Sequence, residues 1–206
     1  MIFLKEKESL VNKMIKITIA SSNPHKLEEI NDINNNPDIV FDVITGTFNP
    51  VESGNTFEEN AIIKAKAASK ITGEYCLADD SGLCVDSLEG QPGIYSSRYE
   101  STPLKRIEKL LNELKGLPFD NRSAHFTCSM VLTDPSGNIL HTEIGKVYGY
   151  IDDSIKGTNG FGYDPVFYLP QYDKTIAELD KSVKNKISHR AKALYPMLEW
   201  IEKNLL

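Results

Sequence analysis

The stretch Cys76-Leu77-Ala78-Asp79-Asp80-Ser81-Gly82-Leu83 constrains this chain more than any other. An apolar run goes straight into two adjacent carboxylates, a hydroxyl and a glycine, which reads as a buried strand delivering acids to a loop. Side chains alternate along a strand, so Asp79 and Asp80 are expected to share a site only where the backbone bends, and Ser81-Gly82 is expected to supply the bend. Two like charges held that close repel. A divalent cation would relieve the repulsion, and oxygen-only company suits Mg²⁺ or Mn²⁺ better than zinc. A polar turn with two solvated acids accounts for the same residues.

The rest of the 206-residue chain has to decide between these readings, and its bulk properties remove several function classes. One domain is the simplest expectation at this length. A formal net charge of -6 opposes a surface built to hold nucleic acid or anionic lipid by charge alone. Cys76, Cys84 and Cys128 are odd in number and lack metal-site spacing, so free thiols in a reducing cytoplasm are expected. No apolar stretch reaches the ~20 residues of a membrane span.

Residues 1–14 form a charged extension of unassigned role, and a single domain is expected over 15–206. Ile15, Ile17 and Ile19 alternate as a strand, the polar loop Ser21-Ser22-Asn23-Pro24-His25-Lys26 follows, and Leu27, Ile30 and Ile33 keep helical spacing. Lys26 therefore stands where a helix N-terminus offers free N–H groups, a geometry that suits a phosphate; an ordinary strand-to-helix turn with an exposed lysine is the plainer alternative. A second strand over Ile39 to Ile44 leads to Glu52-Ser53-Gly54-Asn55-Thr56 and a helix burying Phe57, Ala61, Ile62, Ala65, Ala68 and Ile71. Thr56 and Glu59 form a capping box, which gives Glu59 a structural task and leaves Glu52 without one. Lys64, Lys66 and Lys70 read as a solvated face.

Beyond the acids, Pro92-Gly93 forces a turn near Tyr95 and Arg98, and Leu104, Ile107, Leu110, Leu111 and Leu114 mark an amphipathic helix. Strict alternation from Ala124 to Leu132, a turn at Asp134 to Asn138 and a return over Ile139 to Tyr150 make a long β-hairpin. The glycine-rich run Gly157 to Pro165 surrounds Phe161 with flexible backbone, which allows a flat ligand close approach or is a plain loop. Lys184 to Arg190 opens the last helix, and cations there make sense if an anion or acceptor-rich ligand meets them. Strands and helices alternate around one antiparallel hairpin, a mixed α/β architecture.

Five segments in this order, Ser21 to Lys26, Asn60 to Lys64, Ala78 to Leu83, Gly160 to Pro165 and Ser188-His189-Arg190, resemble the inosine triphosphate pyrophosphatase family, also called XTP/dITP diphosphatases. The resemblance runs from about Ile15 to the C-terminus. It implies an α/β fold with a long twisted mixed sheet in two lobes flanked by helices, a central substrate cleft, and a homodimer. It implies hydrolysis of ITP, dITP and XTP to monophosphate and pyrophosphate with Mg²⁺, removing deaminated purines from the nucleotide pool. By position, Ser21, Ser22, Asn23, Pro24, His25 and Lys26 resemble the triphosphate cradle and Lys64 a second phosphate contact. Glu52 and Asp80, with Asp79 beside them, resemble the metal-linked acids, and Asp80 the proton acceptor. Ser81, Phe161, Gly162, Tyr163, Asp164, Lys184, His189 and Arg190 resemble the remaining substrate contacts. On chemistry, Arg190 is expected to donate to a C6 carbonyl, Asp164 to accept the N1–H of hypoxanthine, and Phe161 to stack on the ring. Ser22 stands where that family usually has glycine, so the backbone conformation of the loop is the point to examine. A pyrophosphatase of different base preference and a non-catalytic nucleotide-binding module are the competing readings.

Overall fold

The computed structural model describes residues 14–206, so the extension expected over 1–14 lies outside the described residues except for Met14. Seven strands form one mixed sheet in the order β2-β1-β3-β4-β5-β6-β7. Strand β1 (Ile15–Ile19) lies parallel to β2 (Ile39–Val43) and to β3 (Tyr75–Val85); β4 (Ser123–Thr133), β5 (Ile139–Ile151), β6 (Phe167–Leu169) and β7 (Lys174–Thr175) continue antiparallel from β3. The parallel strands are joined by helices α1 (Pro24–Ile33) and α2 (Phe57–Thr72), as parallel neighbours require. Helices α3 (Pro103–Glu113), α4 (Lys181–Ile187) and α5 (His189–Leu205) complete the fold, and none of the described helices is long and apolar enough to cross a membrane.

Three apolar clusters hold the layers together. Ile17, Ile19 and Leu77 meet Leu194 and Met197 of α5 on one face of the sheet. Ala61, Ala65 and Ala68 of α2 sit on Cys76, Ala78 and Val131 on the other face. Farther along, Leu83, Val85, Phe126 and Phe167 pack against Ile107, Leu110 and Leu114 of α3, a separate second lobe of core. The stripe buried by α2 keeps the expected Ala61, Ala65 and Ala68 but not Ile71, which is 64% exposed, and takes in Asn60, Lys64 and Ser69. Its capping also differs in detail, because Thr56 accepts from the Glu59 N–H while the Glu59 carboxylate reaches past Thr56 to the Asn55 N–H at 2.6 Å.

One offset in this sheet creates the cleft. Strand β1 pairs with β3 only as far as Ile19 opposite Leu77, whereas β3 runs on to Val85 against β4. Asp79, Asp80 and Ser81 therefore have a neighbouring strand on one side only. The loop after β1 and the two lobes surround this open edge.

Candidate active site

The expected bend at Ser81-Gly82 does not occur; β3 is continuous through both acids, and Asp79 and Asp80 pair in unbroken register with Met130 and Ser129. Adjacent residues on a straight strand face opposite ways, so the two carboxylates are divided between the faces of the sheet. Asp80 faces α2, where Lys64 Nζ lies 2.7 Å from its Oδ1. Asp79 faces α1 and α5, where its Oδ2 takes Lys26 Nζ at 3.0 Å, Arg190 Nη2 at 3.0 Å and the Ser81 hydroxyl at 2.8 Å. Asp79 thus lies on the opposite face of the sheet from Asp80 and Lys64. Its repulsion from Asp80 is relieved by lysines and an arginine on separate sides of the strand.

The electrostatics of the pair diverge accordingly. Burial alone would raise the Asp79 carboxyl, but the charges of Lys26, Arg190 and Lys64 outweigh it and hold the group far below the usual carboxylate range. Burial dominates at Asp80 and raises it above its ordinary value despite the pull of Lys64 and Lys26. Glu52 comes from the loop before α2 and places Oε1 3.0 Å from the same Lys64 Nζ, while Arg98 holds its other oxygen at 2.8 Å. Lys64, on the face read as solvated, is a buried ammonium between two carboxylates. Among the described residues, no three His, Cys, Asp or Glu side chains converge as a ready-made metal cage.

The loop Ser21 to Lys26 forms without the glycine. Neither Ser22 nor any other residue in it has positive φ, so serine meets no backbone penalty there. Asn23 caps α1 by accepting from the His25 N–H at 3.1 Å, and Pro24 takes the first helical position, where its missing donor costs nothing. The His25 ring stacks on Phe161 with centroids 5.4 Å apart, and the pair separates the main cleft from a smaller cavity of about 180 Å³.

The glycine-rich run closes over a second buried network. Gly160 has φ +77°, and a Cβ there would strike the Asp164 carboxylate, so this loop needs glycine twice over. Asp164 Oδ2 accepts the Phe161 N–H at 2.9 Å and meets Lys184 Nζ at 2.8 Å; burial raises this carboxyl above its usual value in spite of Lys184. Lys184 also lies 2.6 Å from Glu29, which in turn pairs with Arg190 Nη1. The acceptors that the helix start was read to await are therefore the chain's own Glu29 and Asp79. Lys184 belongs to α4 rather than α5: Ser188 ends one helix and caps the next, accepting from the Ala191 N–H at 3.1 Å. His189 lies flat on Phe126, and burial, with Arg190 and Lys184 nearby, holds its pKa well below the ordinary value, so it is neutral at pH 7. Tyr163 is buried and its hydroxyl donates to the Ser96 carbonyl at 3.0 Å.

Every expected contact except Pro24 and Asp79 lines one cleft of about 470 Å³. Phe126, Ser96, Ser97 and Arg106 line it too and were missed, as was Glu29 behind it; Glu28-Glu29 looks like an ordinary charged helix face, and nothing local marks one of them as buried.

A mixed sheet with a cleft at one strand's open edge, floored by an acid on a buried lysine, defines an α/β protein with a charged cleft. The chain belongs to the Ham1 family, whose match extends over residues 17–200. A dITP/XTP pyrophosphatase of Bacillus subtilis is 43% identical over 200 residues, 92% of this chain and 98% of the relative. One from Bacillus licheniformis is 53% identical over 146 residues, 69% of this chain and 74% of the relative. The Staphylococcus aureus Ham1 protein has the same fold with TM-score 0.82 and 42% identity, covering 91% of this chain and 98% of that one.

Proposed function

We propose that this chain hydrolyses ITP, dITP and XTP to the nucleoside monophosphate and pyrophosphate, and so clears deaminated purines from the nucleotide pool. The chain is a hydrolase acting on nucleoside triphosphates, given relatives of that kind at 43% and 44% identity over nearly their whole length. The observation that carries the mechanism is Asp80, a buried carboxylate of raised proton affinity held at 2.7 Å by Lys64 at the open edge of β3.

Attack on a triphosphate is opposed by spread negative charge, so positioning and neutralisation do most of the work. Asp80 accepts a proton from a water whose oxygen bonds to the α-phosphorus; the bond from that phosphorus to the β-bridging oxygen breaks, and pyrophosphate leaves with the electron pair. Lys64 holds Asp80 in place, and Lys26 with the N-terminus of α1 receives phosphate oxygens. Asp80 and Glu52, which share Lys64 as a partner, have the oxygen donor chemistry of Mg²⁺ and would hold it with the rest of its shell left to phosphates and water. When bound, the ion would neutralise phosphate charge. Phe161 offers a face for the purine, and Arg190 keeps a buried Nε–H without a partner for a C6 carbonyl, which adenine lacks. The active form is read as a homodimer.

The experiment is hydrolysis in ¹⁸O-labelled water with wild type and Asp80→Asn. Label should enter the monophosphate only, and the variant should lose turnover by a factor of about 10³ or more while unfolding at a similar temperature. Label in pyrophosphate, or near-normal turnover of the variant, would reject this mechanism.

A further inference from the structure

Five lysines and arginines line the main cleft: Lys26, Lys64, Arg106, Lys184 and Arg190. Four of them are already matched. Lys26 and Arg190 hold Asp79, Lys64 holds Asp80 and Glu52, and Lys184 holds Glu29 and Asp164. Arg106 alone has no carboxylate partner among the described residues; its one side-chain hydrogen bond there is from Nη1 to the Ser97 carbonyl. It sits in the first turn of α3, after the Thr102 cap, where the helix dipole does not favour a cation.

Its place in the cleft gives this charge a direction. Ser97 lies between Ser96, whose hydroxyl accepts from Leu83 N–H of β3 at 2.9 Å, and Arg98, which holds Glu52 at 2.8 Å. Arg106 is therefore tied, through Ser97, to a segment that reaches Glu52 and the strand of Asp80 on one side and Tyr163 on the other, whose hydroxyl donates to the Ser96 carbonyl. An incoming polyanion must compete with a carboxylate for each of the other four cations. Arg106 has unspent N–H groups in a fork suited to phosphate oxygens.

We propose that Arg106 binds the β- and γ-phosphates of the substrate and so makes the cleft prefer a triphosphate to the monophosphate it produces. This rests on the reading of the cleft as a nucleoside triphosphate site. Once pyrophosphate has left, the monophosphate no longer reaches this cation, which favours product release.

The test uses the full chain as wild type, Arg106→Gln and Arg106→Lys, measuring KM for ITP and inhibition by pyrophosphate and by IMP. Arg106→Gln should raise KM for ITP and weaken pyrophosphate inhibition about tenfold each, with IMP inhibition changed less than about twofold. Arg106→Lys, which keeps the charge, should recover part of both. ITP and pyrophosphate values within twofold of wild type would overturn the proposal, as would equal weakening of pyrophosphate and IMP, which marks a disturbed loop. If wild type released no pyrophosphate, the function reading would fail first; calorimetric titration of pyrophosphate into wild type and Arg106→Gln would then decide the arginine's role by itself.

Discussion

Asp79 and Asp80 are neighbours in sequence and have different tasks. Asp79 is buried where Lys26 and Arg190 meet, so its charge is matched inside the protein, whereas Asp80 faces the cleft with a raised proton affinity. Two adjacent acids after an apolar run stand out in the sequence, but their division between the faces of the sheet does not. It depends on β1 ending at Ile19 while β3 continues, which no local pattern around residue 79 records. Asp79→Asn should destabilise the fold by about 3–5 kcal/mol, since Lys26 and Arg190 would be left facing an uncharged amide in a buried setting. Denaturant unfolding at pH 7 measures this. A loss under 1 kcal/mol would show that the cations find other partners.

Elements were easier to read than residues, and the long hairpin was easiest. Alternation from Ala124 to Leu132 and the Asp134 to Asn138 turn match β4 and β5; β5 buries one face at Gly145, Val147, Gly149 and Ile151, where a slip of one residue would expose it, while β4 is buried on both faces from Phe126 to Thr133. Helix α2 and its buried alanines at 61, 65 and 68 match the reading, but the burial of Asn60 and Lys64 beside them was not legible, because a charged or amide side chain carries no sequence mark of burial. Ser188 is the third case: a run read as the opening of one helix is two helices meeting at a serine with ψ 157°. That break aims Lys184 and Arg190 at the same Glu29 from different helices. Ser188→Ala removes the α5 cap and should cost about 1 kcal/mol with an unchanged denaturant slope. A change in slope would mean that the junction itself had come apart.

For the whole molecule, the sheet order and the cleft rest on pairings between distant segments, and only the resemblance to a known family made them readable in advance. The charge network spanning α1, β3, α4 and α5 gives the fold a definite response to acid. Asp79 has a folded-state pKa below its unfolded value, as does Glu29, where burial is outweighed by Arg190 and Lys184. The native state therefore binds fewer protons, and the stability these groups contribute, full above pH about 5, is lost as pH falls through 4 and below. His189, neutral when folded, acts in the same direction from pH about 6.5 downward. The stability difference between wild type and Asp79→Asn should therefore narrow by about 1.4 kcal/mol per pH unit below pH 4; a difference independent of pH would refute the assignment.

Cleavage of deaminated purine nucleoside triphosphates in the carboxylate–lysine cleft is the activity proposed for this fold. Pyrophosphate release from ITP, dITP, XTP, GTP and ATP at equal concentrations, with Mg²⁺ and with EDTA, addresses it most directly. Release should be fast from ITP, dITP and XTP and abolished by EDTA, with ATP slower by about 10² or more. Equal rates on all five would contradict the reading of the base end of the cleft, and no release from any of them would contradict the claim as a whole.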